Sequence, residues 1–235
     1  MTTKILAIDT ATDTCSVALK INDSIIERHE LAPQKQSELI LPMIQAVLTE
    51  SGLDLHQINA IAFGCGPGSF TGIRLATSIA QGLCFGANLP AIPISTLQAM
   101  AQGFYRTNQS KNVIIALDAR MQEIYFAAYQ ADANGLMQPI INDCICKPNA
   151  PLFSDLMREQ SWDGIGSAWQ VYHDVLQQCC AQNTVQISNI QHDYRSRALD
   201  ITELALIQYN LDKTVKAEDI LPVYLQNNMF RSSTS

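Results

Sequence analysis

Residues 64–74 read Gly-Cys-Gly-Pro-Gly-Ser-Phe-Thr-Gly-Ile-Arg, between the apolar run 58–63 and a helix-like stretch that ends at Gly86. A buried strand, a glycine turn and a helix are therefore expected in succession. Arg74 is the one formally charged side chain between His56 and Arg106, so the helix 70–86 lacks a charged face beyond its first turn. A helix that is apolar all round must be covered all round. One side can lie on a sheet, which leaves the other for a partner or a second domain. About 17 residues interrupted by Gly72, Gln81 and Gly82 are too few and too polar to span a bilayer.

Apolar content of 47% and charged content of 16% over 235 residues describe a globular chain with a sizeable core. The net charge of −7, from 15 Lys and Arg against 22 Asp and Glu, supplies no electrostatic footprint for a nucleic acid met unaided. The seven cysteines (15, 65, 84, 144, 146, 179 and 180) are odd in number and contain no Cys-x-x-Cys pair. They fit free thiols in a reducing compartment. The acid at Asp9 interrupts the apolar N-terminal run too early for a signal-peptide core, so a cytoplasmic, non-membrane protein is expected.

Lys4–Asp9 reads as a buried strand, followed by alternating strands 15–21 and 24–31. Helix 37–51, strand 60–64, helix 70–86, strand 91–94 and helix 96–103 complete a first half. The second half restarts the same way, with strand 113–118 ending in Asp118, an alternating strand 123–130 and a third near 137–146. Helix 151–160, strand 162–166 and helix 168–180 follow. Ile-Leu-Ala-Ile-Asp at 5–9 and Ile-Ile-Ala-Leu-Asp at 114–118 set the two halves in register. The polar stretch 107–112 marks the boundary, giving subdomains 1–106 and 107–226 and a frayed tail 227–235. A helix within 196–211 is expected to pack back on the first half.

Duplicated βββαβα halves, each opening with a strand that ends in Asp, are the arrangement of the actin-like, ribonuclease H-like α/β fold. The chain resembles the bacterial TsaB (YeaZ) family over most of its length. The resemblance rests on Ile-Asp-Thr-Ala-Thr at 8–12, the motif 64–74, Ala-Gln-Gly-Leu at 80–83 and Asp-Ala-Arg-Met at 118–121. It implies a non-catalytic role in forming N6-threonylcarbamoyladenosine at position 37 of tRNAs reading ANN codons. The catalysis then belongs to a paralogue, TsaD, bound as a heterodimer, with an ATPase, TsaE, in the larger complex. No cofactor is implied for this chain, and tRNA is met only through the complex. Two metal-binding histidines of the paralogue align with Thr96 and Met100 here. Neither residue is a credible iron or zinc ligand.

Each candidate site has a functional and a structural reading. Asp9, Thr10 and Thr12 stand where actin-like enzymes hold phosphate, yet an Asp at a turn also orients its own backbone. Asp118 and Arg120 occupy the second hairpin, where bulky residues replace the glycines that a phosphate loop needs. Gly164 and Gly166 lie where such folds hold adenosine. Gly66 and Gly68, ahead of a helix N-terminus capped by Ser69, suit either an anion or close helix–sheet packing. No His-x-x-x-His or Gly-x-Ser-x-Gly pattern occurs. An ATP-dependent kinase or nucleotide hydrolase is the alternative reading, and a protease a weaker one. For the interface, Gly72, Ala76 and Ala80 form a small-residue ridge at i+4 spacing. With Leu83, and with Leu39 and Met43 of the preceding helix, that ridge is expected to meet TsaD or a second copy of the chain.

Overall fold

The computed structural model describes residues 3–225, so the tail 227–235 lies outside the described residues. The chain divides into two units, residues 1–103 with 195–223, and residues 104–194 with 224–235. In the first unit β1 (Lys4–Asp9), β2 (Thr14–Ile21), β3 (Ser24–Leu31), β4 (Ala60–Gly66) and β5 (Ala91–Ser95) form one sheet in the order β3-β2-β1-β4-β5. β1 runs antiparallel to β2 and parallel to β4. Alternation sends Leu6, Ile8, Val17, Leu19, Ile61 and Phe63 to one face. There they meet α1 (Gln36–Ser51), over β2 and β3, and α2 (Phe70–Ala87), over β4 and β1.

The opposite face is covered by α6 (Ala198–Asn210), over β1, β2, β4 and β5. The segment 195–223, grouped by sequence with the second half, thus belongs to the first unit. Polar anchors pin it there. Arg195 donates to both Asp13 carboxylate oxygens at 2.6 and 2.9 Å, Lys20 meets Glu203 at 2.8 Å, and Arg197 pairs with Glu27. Ser16 Oγ accepts the backbone N–H of Ala198 at 3.0 Å, which caps the start of α6.

α3 (Thr96–Asn108) runs across the division at 103/104, so the polar stretch 107–112 begins inside a helix. In the second unit β6 (Asn112–Arg120), β7 (Glu123–Ala131), β8 (Met137–Cys146), β9 (Ser161–Ile165) and β10 (Gln186–Gln191) are ordered β10-β9-β6-β7-β8. This is the strand order of the first sheet repeated, so the chain has the duplicated actin-like α/β fold. α4 (Ala168–Val171) and α5 (His173–Gln182) complete the unit, split at Tyr172 where one continuous helix was expected.

One further expectation fails here, and one strand was not foreseen. The helix expected over 151–160 is a single 3-10 turn, Asp155–Met157. Arg158 is extended and Glu159 is left-handed at φ +57°. Continuing a helix would also move the Met157 carbonyl away from the buried Trp162 indole, which donates to it at 3.1 Å. β10 escaped notice because Gln-Ile-Ser-Asn-Ile-Gln carries little apolar signal for an edge strand. Among the described residues, no helix is long and apolar enough to cross a membrane.

Candidate functional site

The first hairpin and the glycine loop close on each other. Asp9 is fully buried; its Oδ1 accepts the Ala11 N–H at 2.9 Å and its Oδ2 accepts the Ser196 hydroxyl. The Thr10 hydroxyl donates to the Gly72 carbonyl at 2.6 Å, while Thr12 Oγ1 lies 2.9 Å from Thr14 Oγ1. From the other side, the Ser69 N–H donates to the Ala11 carbonyl at 2.7 Å, and Ser69 Oγ caps the Gly72 N–H at 3.5 Å. Two amides at the start of α2, those of Ser69 and Gly72, are therefore spent on the turn and the cap.

The glycines are explained by close approach. A Cβ at Gly68 would sit 2.4 Å from the Ala11 carbonyl oxygen, and one at Gly72 only 2.0 Å from that of Thr10. Gly66 has φ +115° and brings its own backbone against the Val223 carbonyl. Gly64 leaves room for the Asp9 carboxyl, which a Cβ there would approach to 2.5 Å. The motif 64–74 thus seats α2 on the β1–β2 turn.

Burial raises the Asp9 pKa above the ordinary carboxylate value, partly offset by the hydrogen bonds from Ser196, Ala11 and Thr10. A raised folded-state pKa contributes stability that is present below the unfolded value and lost as pH rises through the folded one. Asp9→Asn keeps both contacts, with the amide N–H₂ donating to Ser196. It should match or exceed the parent in melting temperature, by a margin that grows as pH rises above the ordinary carboxylate value of 3.8. Asp9→Ala should instead lose about 1–3 kcal/mol for each buried donor it strands. A larger loss for the Asn variant at pH 8 than at pH 5 would mean that the ionised carboxylate supports the fold.

In the second hairpin Arg120, Met121 and Gln122 all adopt left-handed backbone, at φ +67°, +50° and +60°. Asp118 stabilises this turn, accepting the Arg120 N–H at 3.1 Å, and the Arg120 guanidinium lies 3.4 Å from the same carboxylate. Arg120 is 88% exposed at its side chain, so the pair is worth about 0–1 kcal/mol. Gly164 and Gly166 serve packing: a Cβ at 164 would lie 2.6 Å from the Trp169 indole, and one at 166 would lie 2.6 Å from the Ala116 carbonyl oxygen. Trp169 occupies the space beneath the β9 turn. Thr96 and Met100 are fully buried, and no cluster of three or more His, Cys, Asp and Glu able to hold a metal ion occurs among the described residues.

The small ridge is a correction. Gly72, Ala76 and Ala80 are buried within the chain, Ala76 and Ala80 with no exposed surface, because α2 turns its small side toward the sheet. Small residues let the helix backbone approach the strands closely, which satisfies the ridge without a partner. Met43 is buried in the same core, while Leu39 and Leu83 pack against it half-exposed. Sequence reasoning missed the outward side chains: Leu41 on α1 is 55% exposed, and Phe70 and Phe85 on α2 are 59% and 83% exposed. Arg74 stacks over Phe70, 3.6 Å from the ring centroid. Thr71, Ser78, Gln81, Gly82 and Gly86 fill the rest of the exposed α2 surface. Their only sequence signal was the missing charge.

A family model for TsaD, tRNA N6-adenosine threonylcarbamoyltransferase, matches residues 23–231. The chain is 42% identical to the Escherichia coli (strain K12) tRNA threonylcarbamoyladenosine biosynthesis protein TsaB, over 96% of each chain. It is 39% identical to the protein of that name from Haemophilus influenzae, over 96% of this chain and 94% of that one. The solved structure of YeaZ from Pseudomonas aeruginosa superposes with a TM-score of 0.83 at 32% identity, covering 95% of this chain and all of that chain. Relatives this similar along nearly their whole length, on the same duplicated fold, show that the chain belongs to the TsaB (YeaZ) family.

Proposed function

We propose that the chain acts in the biosynthesis of threonylcarbamoyladenosine in tRNA as a non-catalytic subunit that binds a TsaD-type partner. The names of its relatives support the pathway. The observation that carries the non-catalytic reading is the closed first hairpin, where Gly68 and Gly72 bring α2 onto the turn and Asp9 is buried against Ser196. A kinase or nucleotide hydrolase needs that turn open to phosphate oxygens.

The docking surface in this reading is the outer face of α1 and α2, with Leu41, Phe70 and Phe85 as its anchors and Leu39 and Leu83 at its margin. Taking such side chains out of water contributes about 25 cal/mol per Å² of apolar area, from which the entropy and desolvation costs of association are subtracted. The same face serves self-association, so homodimer and heterodimer compete. The pathway is tested by assaying tRNA modification with TsaD and TsaE-type proteins, with and without this chain; full modification in its absence would sink the role. The surface is tested by Phe85→Glu, which should leave the fold intact and weaken both associations about 100-fold, the range of an interface anchor. A Phe85→Glu protein that dimerises and binds its partner normally would move the interface elsewhere.

A further inference from the structure

Cys144 and Cys146 stand two residues apart on β8, so their side chains leave the same face of the strand. Both are half-exposed and pack against the core of the second unit. The register is regular here, with Cys144 opposite Phe126 and Cys146 opposite Ile124, and it is broken just before, between the pairings of Phe126 and Ala128. Among the described residues β8 is an outer strand paired only to β7, and Cys146 is its last residue. Drawing the two Cα atoms together therefore disturbs one ladder at its end, beside an existing irregularity and a loop. The other thiols are less available: Cys15, Cys65, Cys84, Cys179 and Cys180 are buried.

We propose that Cys144 and Cys146 form a dithiol that reacts with hydroperoxides and closes to a disulfide within one strand. The Cys144 thiol donates to the Phe126 carbonyl at 3.4 Å, while interaction with its neighbour on the same strand face holds the Cys144 thiol below the ordinary thiol value and pushes the Cys146 thiol well above it. Burial and Asp143 act against ionisation of Cys144; Glu123 and Cys179 act against that of Cys146. The Cys144 thiolate attacks one peroxide oxygen, the O–O bond breaks, and the other oxygen leaves as hydroxide, giving a sulfenic acid at Cys144. The Cys146 sulfur then attacks the Cys144 sulfur, the S–O bond breaks, and water departs with the Cys146 proton. In sum, two thiols and one hydrogen peroxide yield one disulfide and two waters.

Trypsin cuts after Arg120 and Arg158 but not between Lys147 and Pro148, so Cys144 and Cys146 share one peptide and Cys179 and Cys180 another. The full chain is treated with hydrogen peroxide, alkylated with iodoacetamide and digested. The 121–158 peptide should be lighter by two hydrogens and unalkylated, and doubly alkylated after prior reduction. Cys146→Ser should stop the reaction at a sulfenic acid that dimedone traps on Cys144, and Cys144→Ser should abolish both products. Full alkylation of both thiols after peroxide would overturn the proposal. So would a cross-link joining the two peptides, which would make Cys179, whose Sγ donates to the Pro148 carbonyl at 3.8 Å, the partner of Cys146 instead.

Discussion

Ala80→Glu should give no folded protein. Ala80 has no exposed surface and belongs to the core cluster with Cys84, Ile61 and Phe63. A glutamate there must bury a carboxylate without a counter-ion, at several kcal/mol even after relaxation, and must also fit four extra side-chain heavy atoms into a filled layer. Against a total stability of about 5–15 kcal/mol for a chain of this class, the two effects together are decisive. Circular dichroism should show loss of cooperative unfolding, and expression should fall into the insoluble fraction. Ala76→Glu should behave alike, since Ala76 is equally buried. A soluble Ala80→Glu variant with an unchanged urea midpoint would mean that α2 presents its small side outward after all.

Gly72→Ala is the second large effect, from a single methyl group. Its Cβ would lie 2.0 Å from the Thr10 carbonyl oxygen and 3.0 Å from the Thr10 carbonyl carbon, both backbone atoms of a turn that is itself held by Asp9. Neither can swing aside as a flexible side chain would. Relief requires α2 to lift, which breaks the Thr10 hydroxyl bond to the Gly72 carbonyl and the Ser69 N–H bond to the Ala11 carbonyl. Overpacking of this kind costs about 3 kcal/mol or more. Gly82→Ala on the same helix is the control, because a Cβ there meets nothing within 4 Å. It should stabilise the free chain by about 0.5–1 kcal/mol through helix propensity alone. Urea melts of the pair should move in opposite directions; parallel shifts would remove the close-approach explanation for the glycine motif.

The repeat was legible because a buried strand leaves a mark that survives duplication. Ile5–Asp9 and Ile114–Asp118 share an apolar run and a terminal acid, and the structure gives them equivalent central places in two sheets of identical order. The cap at Ser69 was legible too, since capping is a contact across three residues. What failed was either weakly apolar, as in β10, or decided by a contact from elsewhere, as in the residues around Met157, whose carbonyl serves Trp162.

Sequence alone determined the βββαβα order of the first half, the glycine turn ahead of α2 and the absence of charge along that helix beyond Arg74, because each is written in neighbouring residues. Tertiary structure alone decided which side of α2 is core. A helix whose one charge is Arg74 in its first turns has little pattern to separate its sheet side from its outer side, and only packing against β1 and β4 shows that Ala76 and Ala80 face inward while Phe85 faces out. The fate of Asp9 was equally beyond local reading. Its hydroxyl partner, Ser196, lies 187 residues away in the chain and reaches it because the segment before α6 returns to the first sheet.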